Sequence, residues 1–212
     1  MGPGPRVVWQ QEHVVDVRDA AFAARTWIEQ RDLRIVLAGV LEGRVVDRAA
    51  EVGSGFGRMT PVLTEFAASV SGFEREGAFV AEASVLHPAI SFAQVDTLAR
   101  LPAADASLDL VLTFTVLQHL VDAVLAEVAA EIRRVLRPSG VLVLCEETDV
   151  SHRSGDVDDP NGMCTIGRSV PTYAELFRPL ALVATRPRRV EPTYPRPDVG
   201  TYIVFAGPAR SG

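Results

Sequence analysis

One segment constrains the fold of this chain more than any other. An apolar run, Val45 to Val52, passes into Gly53-Ser54-Gly55-Phe56-Gly57-Arg58, and a helical apolar pattern, Met59 to Ala68, follows at once. Strand, glycine loop and helix in that order form a cradle for nucleotide-like ligands. The glycines let the backbone turn sharply and let a ligand approach without meeting a Cβ. The spacing narrows the ligand. A dinucleotide fingerprint, G-x-G-x-x-G, needs glycine at position 58, where Arg58 stands. The chain reads instead E-x-G-x-G-x-G from Glu51 to Gly57.

Around this unit, strands and helices alternate. Further strands are expected at Val70–Phe73, Ile90–Val95, Leu108–Phe114 and Val141–Cys145. Helices are expected at Arg75–Leu86 and at Leu120–Leu136, the latter stopped by Pro138-Ser139-Gly140. Such alternation implies a doubly wound α/β fold, a Rossmann-like parallel sheet with helices on both faces. The first 44 residues read as a helical cap, with helical spacing over Ala20–Ile28 and Leu33–Leu41. Residues 148–170 are polar and irregular, the composition of a lid loop. A short helix, Pro171–Phe177, precedes two strands, Leu180–Val190 and Thr201–Ala206, that form a closing hairpin across a proline-rich turn. With 212 residues and no linker, the whole span 1–212 reads as one domain.

Composition removes several functions. All 21 basic residues are arginine, which excludes a Schiff-base lysine, a phosphate-loop lysine and a lysine base. A net charge of −6 argues against a nucleic-acid partner. No apolar stretch reaches the roughly 18 residues of a membrane span, and the opening Met-Gly-Pro-Gly-Pro-Arg carries no apolar signal region. The expected location is cytoplasmic. Two cysteines without C-x-x-C spacing and four scattered histidines predict no metal site.

Several acids stand where a ligand needs them. Glu74 falls at the end of the second strand, where a carboxylate accepts from ribose hydroxyls. Asp96, after the third strand, can accept from an adenine amino group, with backbone N–H groups of Thr97 and Leu98 beside it. His119, after the fourth strand, is a candidate general base. Glu146 and Glu147, after the fifth, are candidates for orienting an acceptor.

The order and spacing of Glu51-to-Gly57, Glu74, Asp96, Leu101-Pro102, Ser107-Leu108-Asp109-Leu110-Val111, Gln118-His119 and Glu131-to-Gly140 resemble the successive motifs of class I methyltransferases dependent on S-adenosylmethionine (SAM). The resemblance runs from about Ala49 to Glu147 and more weakly to Ala206. It implies a seven-stranded, mostly parallel sheet with its last strand antiparallel. It implies SAM as cofactor, S-adenosylhomocysteine as product and a small-molecule acceptor methylated on oxygen or nitrogen. By the same resemblance, Gly53, Ser54, Gly55 and Gly57 pack against the methionine part of SAM and Glu51 supports their loop. Glu74 with Arg75 borders the ribose; Asp96, Thr97 and Leu98 border the adenine. Thr113 and Phe114 lie near the methionine amine and the reactive methyl. Two other readings are weighed beside it: a SAM-fold binding module without catalysis, and a nicotinamide-dependent oxidoreductase, against which Arg58 speaks.

Overall fold

The computed structural model describes residues 7–9, 13–15, 20–158, 164–188 and 200–208. A short antiparallel pair, β1 (Val7–Trp9) and β2 (His13–Val15), precedes one long helix, α1 (Ala20–Val40). The first 44 residues are therefore not wholly helical, and the two helical stretches read from the sequence join into one.

The central sheet has seven strands: β3 (Arg48–Val52), β4 (Ser69–Glu74), β5 (Ser91–Gln94), β6 (Leu108–Phe114), β7 (Leu136–Glu146), β10 (Ala181–Pro187) and β11 (Thr201–Ala206). Their order in space is β10-β11-β7-β6-β3-β4-β5, and β11 runs antiparallel to both of its neighbours. The mostly parallel sheet with an antiparallel last strand is as expected. The chain winds outward from β3 through β4 to β5 and then returns to pair β6 on the other side of β3. That reversal opens a crevice beyond the carboxyl ends of β3 and β6.

Alternating side chains supply two cores, one on each face. Ala50, Val111, Leu142, Leu144 and Ile203 pack with Leu125, Val128, Ala129 and Ile132 of α4 (Asp122–Val135) and Tyr173 of α5 (Val170–Leu176). Ala49, Leu110, Leu112, Val143 and Val204 pack with Leu33 and Leu37 of α1 and Val62 and Leu63 of α2 (Thr60–Leu63). Helix α3 (Gly77–Leu86) links β4 to β5.

Three boundaries differ from the sequence reading, each for a local reason. β3 starts at Arg48 rather than Val45, because the amides of Asp47 and Arg48 donate to the Asp109 carboxylate, and Val45 is left 84% exposed. α2 closes at Leu63, where the amides of Phe66 and Ala67 both turn back onto the Leu63 carbonyl. Pro138-Ser139-Gly140 interrupts no strand. It bulges out of β7, whose pairing with β6 jumps from Leu108↔Leu136 to Leu110↔Val141.

The segment 148–170 carries two strands where none was read, β8 (Arg153–Gly155) and β9 (Cys164–Ile166), paired antiparallel. α5 begins as the sequence implies, with Ser169 capping the Thr172 amide and Pro171 in its first turn. β10 and β11 pair as the closing hairpin; the proline-rich turn between them lies outside the described residues.

Candidate functional site

The glycine loop leaves the end of β3 and is tied to the neighbouring strand, the amides of Gly53 and Ser54 both donating to the Phe73 carbonyl. Its glycines divide by what surrounds them. A Cβ on Gly53 would lie 2.5 Å from Val116, and one on Gly57 would lie 2.8 Å from His87 and 2.9 Å from Phe92. These two are glycine because the fold leaves no room. At Gly55, with φ of +53°, a Cβ would meet nothing within 4 Å. That open position lies in the loop leaving the carboxyl end of β3. Ser54, next to it, has a buried hydroxyl that finds no hydrogen-bond partner among the described residues.

Glu74 ends β4 beneath this loop. One carboxylate oxygen accepts the Gly55 amide at 2.8 Å, and the other accepts the amides of Arg75 at 2.7 Å and Glu76 at 3.0 Å. These three bonds leave the carboxylate with acceptor capacity for one more donor. Across the β5 end, Asp96 and Thr97 are exposed, Leu98 is buried, and the Thr97 hydroxyl caps the Ala99 amide. Gly55, Glu74, Asp96, Thr97 and Leu98 thus come together along the carboxyl ends of β3, β4 and β5.

Glu51 is buried below the loop and accepts from the Thr60 hydroxyl. Burial outweighs that bond and pushes its pKa up to about 8. The resemblance implies that Glu51 supports the glycine loop; its bond in the structure is to Thr60, at the start of α2.

Beyond β6 the chain makes a tight reversal. Thr115 takes a left-handed conformation, φ of 56°, which a β-branched residue adopts only under constraint. The constraint is Glu146, which is buried at the end of β7 and accepts from the Thr113 hydroxyl at 2.8 Å and from the amides of Val116 and Gln118, each at 3.1 Å. Burial raises its pKa to about 7. Thr113 is therefore bonded to Glu146, and the Glu146 carboxylate is committed to the loop.

A chain of bonds continues from there. The Glu147 amide donates to Gln118 Oε1 at 2.8 Å, and Gln118 Nε2 lies 3.3 Å from His119 Nε2. His119 Nδ1 lies 2.7 Å from the Cys164 carbonyl. A carbonyl only accepts, so Nδ1 carries the proton and Nε2 accepts from Gln118. Burial pushes the His119 pKa down. The Glu147 carboxylate is bonded to His152 Nδ1 at 2.9 Å and to the Asp149 amide. Both acids expected to meet an acceptor thus have partners inside the protein.

Arg168, buried, completes the hold on the segment after β7. It donates to the carbonyls of Leu117 and Leu120 and pairs with Asp122 at 2.7 Å. Arg168 belongs to no motif, and only its long-range partners reveal it.

A second group centres on α1 and carries no local sequence signal. Glu29 of α1 is 3% exposed and pairs with Arg58, at the exit of the glycine loop, and with Arg188, just after β10. Gln30 holds the Arg58 carbonyl at 2.7 Å. Both guanidiniums lie over the Phe114 ring, 5.0 and 5.2 Å from its centroid. Burial works against the charge of Glu29, but Arg58, Arg188 and Arg25 prevail and hold its pKa at about 2. Among the described residues no group of three or more His, Cys, Asp or Glu is arranged to hold a metal ion, and no helix is long and apolar enough to cross a membrane.

These pKa values set a pH dependence for the ligand-free protein. Glu51 and Glu146 are raised above 4.5, so their contribution is full below that value and is lost as the pH climbs through about 7 to 8. Glu29 is depressed, so its contribution is present above 4.5 and is lost as the pH falls toward 2. Melting temperature is expected to peak at about pH 5 and to fall on both sides. Glu51→Gln should flatten the alkaline fall, as scanning calorimetry across pH 4 to 9 will register; an unchanged slope contradicts the assignment.

Residues 50–144 match the methyltransferase-domain family. A probable SAM-dependent methyltransferase of Mycolicibacterium smegmatis is 33% identical over 105 residues, which are 50% of this chain and 40% of the relative. The chain thus spans well under half the length of that relative. Residues 50–144 are thus similar to a methyltransferase domain. The fold agrees. A crystal structure from Pyrococcus horikoshii superposes with a TM-score of 0.68 at 16% identity, over 92% of this chain and 94% of its own. The 1,6-didemethyltoxoflavin-N1-methyltransferase of Burkholderia thailandensis, solved with its substrate and S-adenosylhomocysteine, superposes with a TM-score of 0.68 at 18% identity, over 91% of this chain and 82% of its own. The glycine loop, Glu74 and the Asp96–Leu98 turn stand along one edge of the sheet, at the carboxyl ends of β3, β4 and β5.

Proposed function

We propose that this protein transfers a methyl group from SAM to an oxygen or nitrogen of a small-molecule acceptor in the cytoplasm. The observation that carries the reading is the open position at Gly55, bordered by Glu74 and continued by Asp96, Thr97 and Leu98. In this reading Gly53, Ser54, Gly55 and Gly57 seat the methionine part. Glu74 and Arg75 hold the ribose, and Asp96 with the Thr97 and Leu98 amides borders the adenine. Thr113 and Phe114 lie near the methionine amine and the reactive methyl.

The chemistry asks little of the protein. The methyl sits on a sulfonium, so the leaving group departs as a neutral thioether and needs no acid. The protein aligns nucleophile, methyl carbon and sulfur and excludes water. Residues 148–170 act as the lid. Incubation with methyl-labelled SAM and a panel of small acceptors tests the reading: label in a small product together with S-adenosylhomocysteine supports it. Tight SAM binding with label never leaving the cofactor would point to a binding module instead.

His119 serves this function by position. Its Nδ1–H holds the Cys164 carbonyl and so fastens β9 to the turn after β6. The amide of asparagine reproduces that donor. His119→Ala is expected to lower turnover by about tenfold, the size of a lost buried hydrogen bond, and His119→Asn to restore most of it. A dead His119→Asn with an unchanged melting temperature would assign the ring to proton transfer instead.

A further inference from the structure

The turn after β6 is built against two penalties. Thr115 stands in the left-handed region, with φ of 56°, and the Glu146 carboxylate is sealed beneath the turn without exposed surface. An apolar side chain would fill the same space without burying an acid. What only an acid or its amide supplies there is acceptor capacity at one point. Glu146 takes the Thr113 hydroxyl at 2.8 Å and the amides of Val116 and Gln118, each at 3.1 Å. The Thr115 amide between them donates to the Cys145 carbonyl at 2.8 Å. These bonds fix the backbone of Val116, and with it the direction of the Val116 side chain.

That side chain stands against the glycine loop. A Cβ on Gly53 would lie 2.5 Å from Val116 Cγ2 and 2.8 Å from Cγ1, so both methyls abut the Gly53 backbone. The Gly53 amide is held from β4 by the Phe73 carbonyl at 2.8 Å. Gly53, with φ of +73°, is thus placed by a strand bond and by Val116, two residues before the open position at Gly55. The other end of the turn meets the segment after β7. Gln118 Oε1 takes the Glu147 amide at 2.8 Å, and His119 Nδ1 donates to the Cys164 carbonyl of β9. One buried acid therefore sets a turn that touches the glycine loop at one end and the segment 148–170 at the other.

We infer that Glu146 is a positioning residue for the cofactor: through the turn it holds, it sets Val116 against Gly53 and so places the glycine loop for the methionine part of SAM. Buried as it is, Glu146 touches neither cofactor nor acceptor and acts through Val116. This rests on the methyltransferase reading.

Four variants test it by calorimetry with S-adenosylhomocysteine, each titrated well below its own melting midpoint so that only folded protein binds. Glu146→Ala removes the acceptors and should weaken binding by about tenfold. Glu146→Gln keeps the turn, because its oxygen accepts both amides and its NH2 donates to the Thr113 hydroxyl; its affinity should stay within about twofold of the parent. Val116→Ala leaves every one of these hydrogen bonds in place and removes only the methyls against Gly53; it should cost about fivefold. Combined with Glu146→Ala it should cost little more, since both act through one contact. Parent-like affinity in a folded Glu146→Ala, or full additivity of the two losses, would overturn the role. So would a Glu146→Gln as weak as the alanine variant, which would assign the effect to charge instead of to the turn. Should Glu146→Ala fail to fold, Val116→Ala decides, and parent-like affinity there overturns the role. A parent that binds no S-adenosylhomocysteine would overturn the methyltransferase reading, and the role of Glu146 with it.

Discussion

Gly55→Leu is expected to abolish SAM binding, a loss of more than about 100-fold or ~2.8 kcal/mol, in a protein that remains folded. The position has a φ of +53°, and a Cβ there would meet no protein atom within 4 Å. The fold is charged only the cost of a non-glycine residue in the left-handed region, roughly 1–2 kcal/mol. The ligand faces a branched side chain in the one part of the loop left open. Gly53→Leu makes the contrast. Its side chain would be driven into Val116, whose Cγ2 lies 2.5 Å from the Cβ position, so it should lower the melting temperature and binding together. Thermal melts beside calorimetry separate the two. Full affinity in Gly55→Leu would move the cofactor elsewhere.

Glu74→Ala is expected to weaken S-adenosylhomocysteine binding by about 10- to 100-fold, since hydrogen bonds to a charged group contribute roughly 1.5–3 kcal/mol. Two losses contribute. The carboxylate that would meet the ribose is gone, and the Gly55 amide loses its acceptor at 2.8 Å. The ligand-free melting temperature should therefore fall by a few degrees, because three backbone amides lose their partner. A cofactor lacking the 2′-hydroxyl distinguishes the roles. It should bind the parent about tenfold less tightly than the natural product and bind the variant with no further loss, the coupling expected of groups in contact. An equal loss in both proteins would restrict Glu74 to ordering the glycine loop.

The sequence made the sheet legible because its strands are buried on both faces. Leu108–Phe114 and Val141–Cys145 read as nearly continuous apolar runs, the mark of a covered parallel sheet. The glycine loop and Glu74 were legible because their spacing reflects one local unit. What escaped depends on partners far along the chain. Asp109 takes the amides that delay β3. Glu146 looks like an exposed strand-end acid until the turn after β6 folds over it. The polar composition of 148–170 suggested a loop, yet Arg168 and His119 fasten its strands through backbone carbonyls, which no side-chain pattern records. Glu29, Arg58 and Arg188 are separated by 159 positions at the extremes, and only the folded sheet brings them to one ring.

The central claim is that the carboxyl edge of this sheet is a SAM site. Titration of the purified protein with SAM, S-adenosylhomocysteine and NAD in parallel by calorimetry tests it most directly. SAM and S-adenosylhomocysteine should each bind saturably, one to one, with binding lost in Gly55→Leu, and NAD should give no heat. Saturable NAD binding with no response to either SAM or its product would contradict it.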